Sequence, residues 1–206
     1  KSLITTHKNT TAFTIFAVLI AVFYGNALGN GFVWDDLIYI VPNPYIKSLE
    51  GFLHALASCL ADGQQCVLEH TSFDRRIVYL GTLTLLWNIS SQPWFFHAVM
   101  LVLFWVSSLL VFFLSRLLTK NFWISFFAAL AFVIHPLHSG VVQYISALPE
   151  MLMTIGVLGA AIFHIRQRIK KSFWNTAGLY IFFAAALFSK ETALVTPLLF
   201  FAIDLT

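Results

Sequence analysis

Long apolar segments constrain this sequence more than any other feature. The strongest covers residues 97–118, and a helix needs about 20 mostly apolar residues to cross a bilayer. Of the 206 residues, 59% are hydrophobic and only 10% are charged, whereas a soluble domain carries about 25% charged residues. The sequence therefore predicts an integral membrane protein, and nothing in it is typical of a nucleic-acid surface.

Six apolar segments are predicted to form the membrane helices of one all-α, multi-pass bundle. Their boundaries are 12–28, 97–118, 122–134, 149–165, 173–188 and 193–205. A cleaved signal peptide is the weaker interpretation of the first segment, because no small-residue cleavage site follows it. Pro136 disfavours a helical conformation at His135 and suits the first turn of a new helix, so we expect the chain to break there.

Basic residues predict the orientation of the bundle. Those that flank the segments all fall on one side, and they are Lys1, Lys8, Arg116, Lys120 and the basic run within 166–171. By the positive-inside rule this side faces the cytoplasm, and the N-terminus with it. Residues 29–93 are then a long first loop on the extracytoplasmic side.

This first loop is predicted to carry short helices. Residues 77–89 are apolar but number only about 13, which favours an interfacial or re-entrant helix over a span. The only two cysteines, Cys59 and Cys66, also lie in the loop. They could form a disulfide in an oxidising compartment, and two free buried thiols are the equal alternative.

Three polar clusters interrupt the apolar sequence, and the predicted topology brings all three to the extracytoplasmic face. In chain order they are Asp35–Asp36, His135–Pro136–Leu137–His138 and Ser189–Lys190–Glu191. Ionisable residues inside or beside an apolar stretch are costly, and they indicate a functional site by default. The clusters therefore predict one polar site at one membrane surface.

The acidic and histidine clusters each have a chemical and a structural interpretation. Asp35 and Asp36 could hold a divalent cation, or one could be a general base with a raised pKa; alternatively, they are solvated loop residues that cap a short helix. His135 and His138 stand three residues apart and could ligate a metal or donate to a phosphate, or be structural. The candidate metal ligands are Asp35, His135 and His138.

The basic groups are also ambiguous when taken singly. Lys190 could bind an anion, but an ion pair with Glu191 or a position at the membrane interface explains it as well. Arg75 has the planar guanidinium that suits phosphate, or is a surface arginine beside Asp74. Taken together, the carboxylate pair, the histidines and the basic groups suit chemistry on a lipid-linked phosphate.

The order of these motifs resembles that of the GT-C glycosyltransferases, especially the O-mannosyltransferase-like membrane proteins that carry tetratricopeptide repeats. The matching segments are 32–36, 43–44, 93–97, 131–138 and 187–191. The resemblance extends from about residue 24 to residue 204. It departs from the family pattern at Met100, Phe104 and Leu148, where the family has polar residues.

The resemblance implies transfer of a sugar from a polyprenyl-phosphate donor to a hydroxyl of an acceptor protein, with inversion, on the periplasmic or lumenal side. Asp35 would be the general base, and Asp36 would support it or help to hold a divalent cation. The residues implied to surround the lipid phosphate are Arg75, His135, His138 and Lys190, with Glu191 orienting Lys190 and with Glu150 and His97 in support. Residues 1–206 would form the transmembrane module, and a soluble repeat domain would follow.

Two other classes of protein stay open. A catalytically inactive subunit derived from a GT-C enzyme could use the same helices to pack against other membrane subunits. The small residues at 156–160 and the 22 phenylalanines suit such helix and lipid contacts, although ordinary core and lipid-facing packing explains them too. A transporter is the weaker alternative, because no inverted repeat is visible.

Overall fold

The computed structural model describes residues 2–61 and 76–205, with side chains over 7–58 and 76–205, and the regular elements in these ranges are helices. The α-helices are α1 (Ser2–Tyr24), α2 (Leu49–Ala61), α3 (Ile77–Ile89), α4 (Pro93–Thr119), α5 (Phe122–Ile134), α6 (Ser139–Val142), α7 (Leu148–Ile169), α8 (Phe173–Leu187) and α9 (Thr196–Asp204). Short 3-10 and π turns connect several of them. The predicted all-α membrane class is confirmed.

Fewer of the described helices are long enough to cross a bilayer than the six segments that the sequence predicts. Helices at His7–Gly29, Pro93–Thr119 and Ile145–Ile169 are long and apolar enough to cross a bilayer. Phe122–Ile134 and Pro136–Val142 form a pair bent by 51°, which is either a broken span or a re-entrant loop. Because α8 has 15 residues and α9 has nine, the described helices offer three or four spans rather than six.

Local sequence signals determine where α5 begins and ends. Lys120 adopts a left-handed conformation with φ 54°, which terminates α4 and turns the chain back. The Asn121 side chain then accepts hydrogen bonds from two main-chain N–H groups of the first α5 turn, at 2.9 and 3.3 Å. At the other end His135 is extended, with ψ 123°, because Pro136 follows it. The predicted break at this proline is confirmed.

Aromatic contacts hold α1 against α4 and α5. Phe13 meets Phe112 edge to face at 5.5 Å, and Phe16 stacks on Phe126 at 5.5 Å. At the end of α1, the Tyr24 hydroxyl donates to the Val133 carbonyl oxygen at 3.0 Å. This bond places the start of the first loop beside the end of α5, and so beside the histidine cluster.

Small residues allow α7 and α8 to pack closely. A Cβ added at Gly156 would lie 2.7 Å from the Ala186 Cβ and 2.8 Å from the Phe182 carbonyl oxygen. A Cβ added at Gly159 would overlap the Phe182 ring. Glycines at such points permit close approach of helix backbones in membranes. The stretch 156–160 therefore serves helix packing within the chain.

The three polar clusters lie at one end of the bundle, which we call the polar end. Helices α1, α5 and α8 end there and α7 begins there. Three contacts show that these ends lie together: Tyr24 with Val133, Asp36 with Ser146, and Lys190 with Glu150. At the opposite end Asp204 of α9 pairs with His164 and Arg168 of α7. The shared location predicted for the clusters is thus observed, while the side of the membrane stays a prediction.

The α7–α8 contact yields a stability prediction. Gly156→Ala places a methyl group against the main chain of α8, which cannot withdraw as a flexible side chain could. We expect the free energy of unfolding to fall by about 1–3 kcal/mol, as is usual for overpacking. The measurement is thermal unfolding of the full-length protein in detergent, followed by tryptophan fluorescence.

Gly25→Ala is the matched control, because a Cβ there meets nothing within 4 Å. Equal unfolding midpoints for the two variants would contradict the packing described for Gly156.

Candidate functional site

Asp36 is completely buried and links the first loop to the segment before α7. Its Oδ1 accepts hydrogen bonds from the Ser146 hydroxyl and from the Ser146 main-chain N–H, the latter at 2.8 Å. Its Oδ2 accepts from the Val33 N–H at 3.1 Å. A buried carboxylate is tolerated when such bonds replace water. Since both oxygens are engaged, Asp36 is arranged as a support rather than as a base.

Asp35, in contrast, is exposed. Its main-chain N–H donates to the Tyr144 hydroxyl at 3.1 Å. This bond is a second contact, besides that of Asp36 with Ser146, that holds the backbone of the acidic pair. The preceding Trp34 has φ 48°, a left-handed conformation that is unusual for a bulky residue. The loop is therefore fixed on its buried side by Asp36 and presents the Asp35 carboxylate to the outside.

Two ion pairs lie in the same region. The Lys190 ammonium contacts the Glu150 carboxylate, which brings the end of α8 to the first turn of α7. Arg76, just before α3, binds both carboxylate oxygens of Glu191 with its guanidinium, at 2.8 and 3.1 Å. The resemblance implied that Glu191 orients Lys190. The structure corrects this: Glu191 binds Arg76, and Glu150 takes the place beside Lys190.

The environment of Glu191 favours its charged form. Its own main-chain N–H and the Arg76 guanidinium hold the pKa of this carboxyl below its usual range. The main chain reinforces the contact, since the Val78 N–H donates to the Phe188 carbonyl oxygen at 3.1 Å. The beginning of α3 is in this way tied to the end of α8.

Tyr79 of α3 lies within reach of both acidic and basic groups of this region. Its side chain is completely buried, and the charges of Asp36, Arg76 and Glu150 all act on its hydroxyl. Burial raises the pKa of this hydroxyl, so it remains protonated and able to donate a hydrogen bond. The Glu150 Oε2 atom is buried with no hydrogen-bond partner among the described residues.

His135 and His138 make local contacts in this structure. The His138 ring packs against Phe132 at 4.4 Å and against Phe104 at 5.3 Å, measured between ring centroids. The His135 Nδ1 atom accepts a hydrogen bond from the Leu137 N–H at 3.3 Å and so caps the turn after Pro136. Their role beside a phosphate stays a prediction.

His97, predicted as a supporting residue, is buried in α4. Neither ring nitrogen has a hydrogen-bond partner of standard geometry in the described parts of the chain, while the Gly31 main chain and the charge of Asp36 act on the ring. The structure thus places His97 behind the acidic loop, where it packs against the segment that carries Asp35.

The predicted metal ligands do not come together. Over residues 7–58 and 76–205, no three His, Cys, Asp or Glu side chains form a group that could hold a metal ion. The set of Asp35, His135 and His138 is therefore not assembled here. Arg75 and Cys66 lie outside the described residues, as does the Cys59 side chain, so the phosphate-binding role of Arg75 and the disulfide stay predictions.

Sequence reasoning missed several members of the site: Arg76, Tyr79, Tyr144 and Ser146. Arg76 was the neighbour of a residue that the sequence did single out. A tyrosine among the aliphatic residues of α3 was a usable signal for Tyr79, because a buried hydroxyl requires a polar partner. Nothing in the sequence around Ser146 indicated that it would bind Asp36.

The different roles of the two aspartates are testable by stability. Asp36→Asn places an amide donor among three donors from Val33 and Ser146. We expect it to lower the free energy of unfolding by about 1.5–3 kcal/mol, the range for hydrogen bonds to charged groups. Thermal unfolding of the full-length protein in detergent measures this.

Asp35→Asn is the matched control, with an expected change of less than about 0.5 kcal/mol because the side chain is exposed. If Asp35→Asn destabilised the protein as much as Asp36→Asn, the assignment of support and exposed carboxylate would be wrong.

Two curated relatives resemble this chain. A protein O-mannosyl-transferase of Caenorhabditis elegans is 29% identical over 149 residues, which is 70% of this chain and 21% of the relative. Protein O-mannosyl-transferase Tmtc2 of Drosophila melanogaster is 29% identical over 206 residues, which is 94% of this chain and 21% of the relative. No family model matches the chain, and no solved structure does. The chain is thus related to proteins named protein O-mannosyl-transferases and spans about a fifth of their length.

Proposed function

We propose that the polar end is the catalytic site of a membrane protein O-glycosyltransferase that uses a polyprenyl-phosphate sugar and inverts the anomeric carbon. The observation that carries the proposal is the difference between the two aspartates. Asp36 is buried and hydrogen-bonded, whereas Asp35 is exposed on the loop that Asp36 fixes. The similarity to two proteins named protein O-mannosyl-transferases supports the reaction class.

Asp35 serves as the general base in this proposal. Its carboxylate takes the proton of the acceptor hydroxyl as the hydroxyl oxygen attacks the anomeric carbon of the sugar. The bond between that carbon and the phosphate oxygen breaks, and the lipid phosphate leaves with the electron pair. A single displacement of this kind inverts the anomeric carbon. The Tyr144 and Asp36 contacts keep the Asp35 backbone in one position.

Lys190 and Arg76 are basic groups of the polar end that could bind the lipid phosphate. Each is held by a carboxylate, Glu150 and Glu191 respectively. An incoming phosphate competes with these carboxylates for the same N–H donors, and a guanidinium suits phosphate as well as carboxylate. The two ion pairs therefore keep the basic groups in place until the donor binds.

An apolar groove offers a place for the lipid of the donor. It has a volume of about 300 Å³ and lies between α7 and the segment that begins with Glu191, with Met153, Val157 and Leu199 among its lining residues. Thr192, two positions after Lys190, belongs to the same groove. A prenyl chain that lies there would have its phosphate near Lys190.

The apolar residues at three positions favour a second candidate, a non-catalytic subunit of a membrane complex. Met100, Phe104 and Leu148 are each 1% exposed and belong to the hydrophobic core. The family resemblance places polar residues at these positions, and here Phe104 packs against His138 instead. A folded, full-length protein that transfers no sugar would favour this candidate.

The catalytic proposal predicts that Asp35→Asn reduces sugar transfer by at least about 100-fold, the usual contribution of a general base. The protein should insert and fold normally, since the side chain is exposed. The assay supplies labelled polyprenyl-phosphate sugars to membranes that contain the full-length protein, and it measures label on protein.

Glu50→Gln is the control, since it removes another exposed carboxylate of the first loop, and its activity should equal that of the wild type. Transfer by Asp35→Asn at half the wild-type rate or more would exclude Asp35 as the base.

A further inference from the structure

We propose that a groove beside Asp35 binds an extended, uncharged segment of the acceptor polypeptide; this inference rests on the proposed function and names the substrate of the same site. The groove has a volume of about 470 Å³. We call it the acceptor groove, and its lining residues are Val33, Trp34, Ser139, Gly140, Gln143 and Tyr144.

The position of the acceptor groove suits a substrate hydroxyl. Trp34, the residue directly before Asp35, lines the groove. Tyr144 lines it too, and its hydroxyl accepts a hydrogen bond from the Asp35 N–H at 3.1 Å. A serine or threonine side chain of a bound segment would therefore stand next to the carboxylate that removes its proton. The residues of the Lys190–Glu150 and Arg76–Glu191 ion pairs do not line this groove.

The shape of the groove favours a polymer over a small molecule. It is open rather than enclosed, and a Cβ at Gly140 would meet nothing within 4 Å, so this part of the groove is unobstructed. The Gln143 Nε2 atom donates to the Asn26 Oδ1 atom at 3.3 Å, which leaves the Gln143 Oε1 atom and its second N–H for the N–H and the carbonyl groups of a peptide. An extended chain has those groups free along its length, as in strand-like peptide recognition.

Trp34 supplies the second, independent observation. Its backbone is held in the left-handed region, with φ 48°, and its indole is nevertheless 82% exposed. Strained conformations persist where the surrounding structure enforces them, and they concentrate at functional sites. An exposed indole at the rim of a groove is typical of a contact that becomes buried on binding, since tryptophan is enriched among the dominant residues of binding surfaces.

Charge distinguishes a peptide from a lipid headgroup as the occupant. Among the described residues, no lysine and no arginine lines the groove, and basic residues are what attract anionic headgroups. The Asp35 carboxylate, next to Trp34 in the chain, would also repel an anionic group. An uncharged peptide segment with hydroxyl side chains needs no basic residue to bind it and is not repelled by Asp35.

The test is peptide binding without any sugar donor. Full-length protein in lipid nanodiscs is titrated against a fluorescent 12-residue peptide of threonine, serine, valine and glycine, and anisotropy gives the Kd. We expect Trp34→Ala to raise the Kd by about tenfold or more, as for a dominant contact residue. Gly140→Leu, whose Cβ would meet nothing within 4 Å and whose longer side chain would occupy space in the groove, should do the same.

Trp94→Ala is the matched control, because this exposed tryptophan of α4 lies outside the groove, and its Kd should stay within about twofold of the wild type. A wild-type protein that does not bind the peptide, or groove variants that bind it as well as the wild type, would overturn the inference.

The inference and the proposed function fail separately. Groove-dependent peptide binding without sugar transfer would keep the groove and reject the enzyme. Sugar transfer with an unchanged peptide KM in both groove variants would keep the enzyme and reject the groove.

Discussion

The buried contact between Asp36 and Ser146 is the constraint on which the site depends. These residues are 110 positions apart, and their hydrogen bonds fasten the first loop to the beginning of α7. Because Asp36 also binds Val33, the turn that contains Trp34 and Asp35 has little freedom. The rest of the candidate site is arranged around this fixed turn, with the proposed acceptor groove beside Asp35 and the basic groups Arg76 just before α3 and Lys190 just after α8.

The ion pairs connect the remaining helices to the same place. Lys190 with Glu150 joins α8 to α7, and Arg76 with Glu191 joins the start of α3 to the segment after α8. Neither pair is fully exposed, since Lys190 and Arg76 are 21% and 19% exposed at their side chains. These contacts bring basic groups to the polar end while satisfying their charge. Under the proposed function, a phosphate would displace the carboxylates from them.

The sequence predicted the course of the backbone better than the side-chain partners. Helix α3 occupies the predicted residues 77–89, and the chain breaks before Pro136 as expected. These features follow from apolar length and from proline geometry, both of which are local. Partner choice is not local: Lys190 had Glu191 as its nearest acidic neighbour in sequence, yet it meets Glu150, because the turn after α8 directs consecutive residues to different helices. The packing of the His138 ring against Phe104 could likewise not be predicted from the spacing of residues in the sequence, because the two residues lie on different elements.

A double-mutant cycle on sugar transfer tests the central claim, that Asp36 acts through Ser146 to position Asp35. The kcat/KM of the full-length protein is compared among the wild type, Asp36→Asn, Ser146→Ala and the double variant. If the two residues act as one support, the double variant loses no more activity than Asp36→Asn alone. Losses that simply add would show that Asp36 and Ser146 act independently, and they would contradict this account of the site.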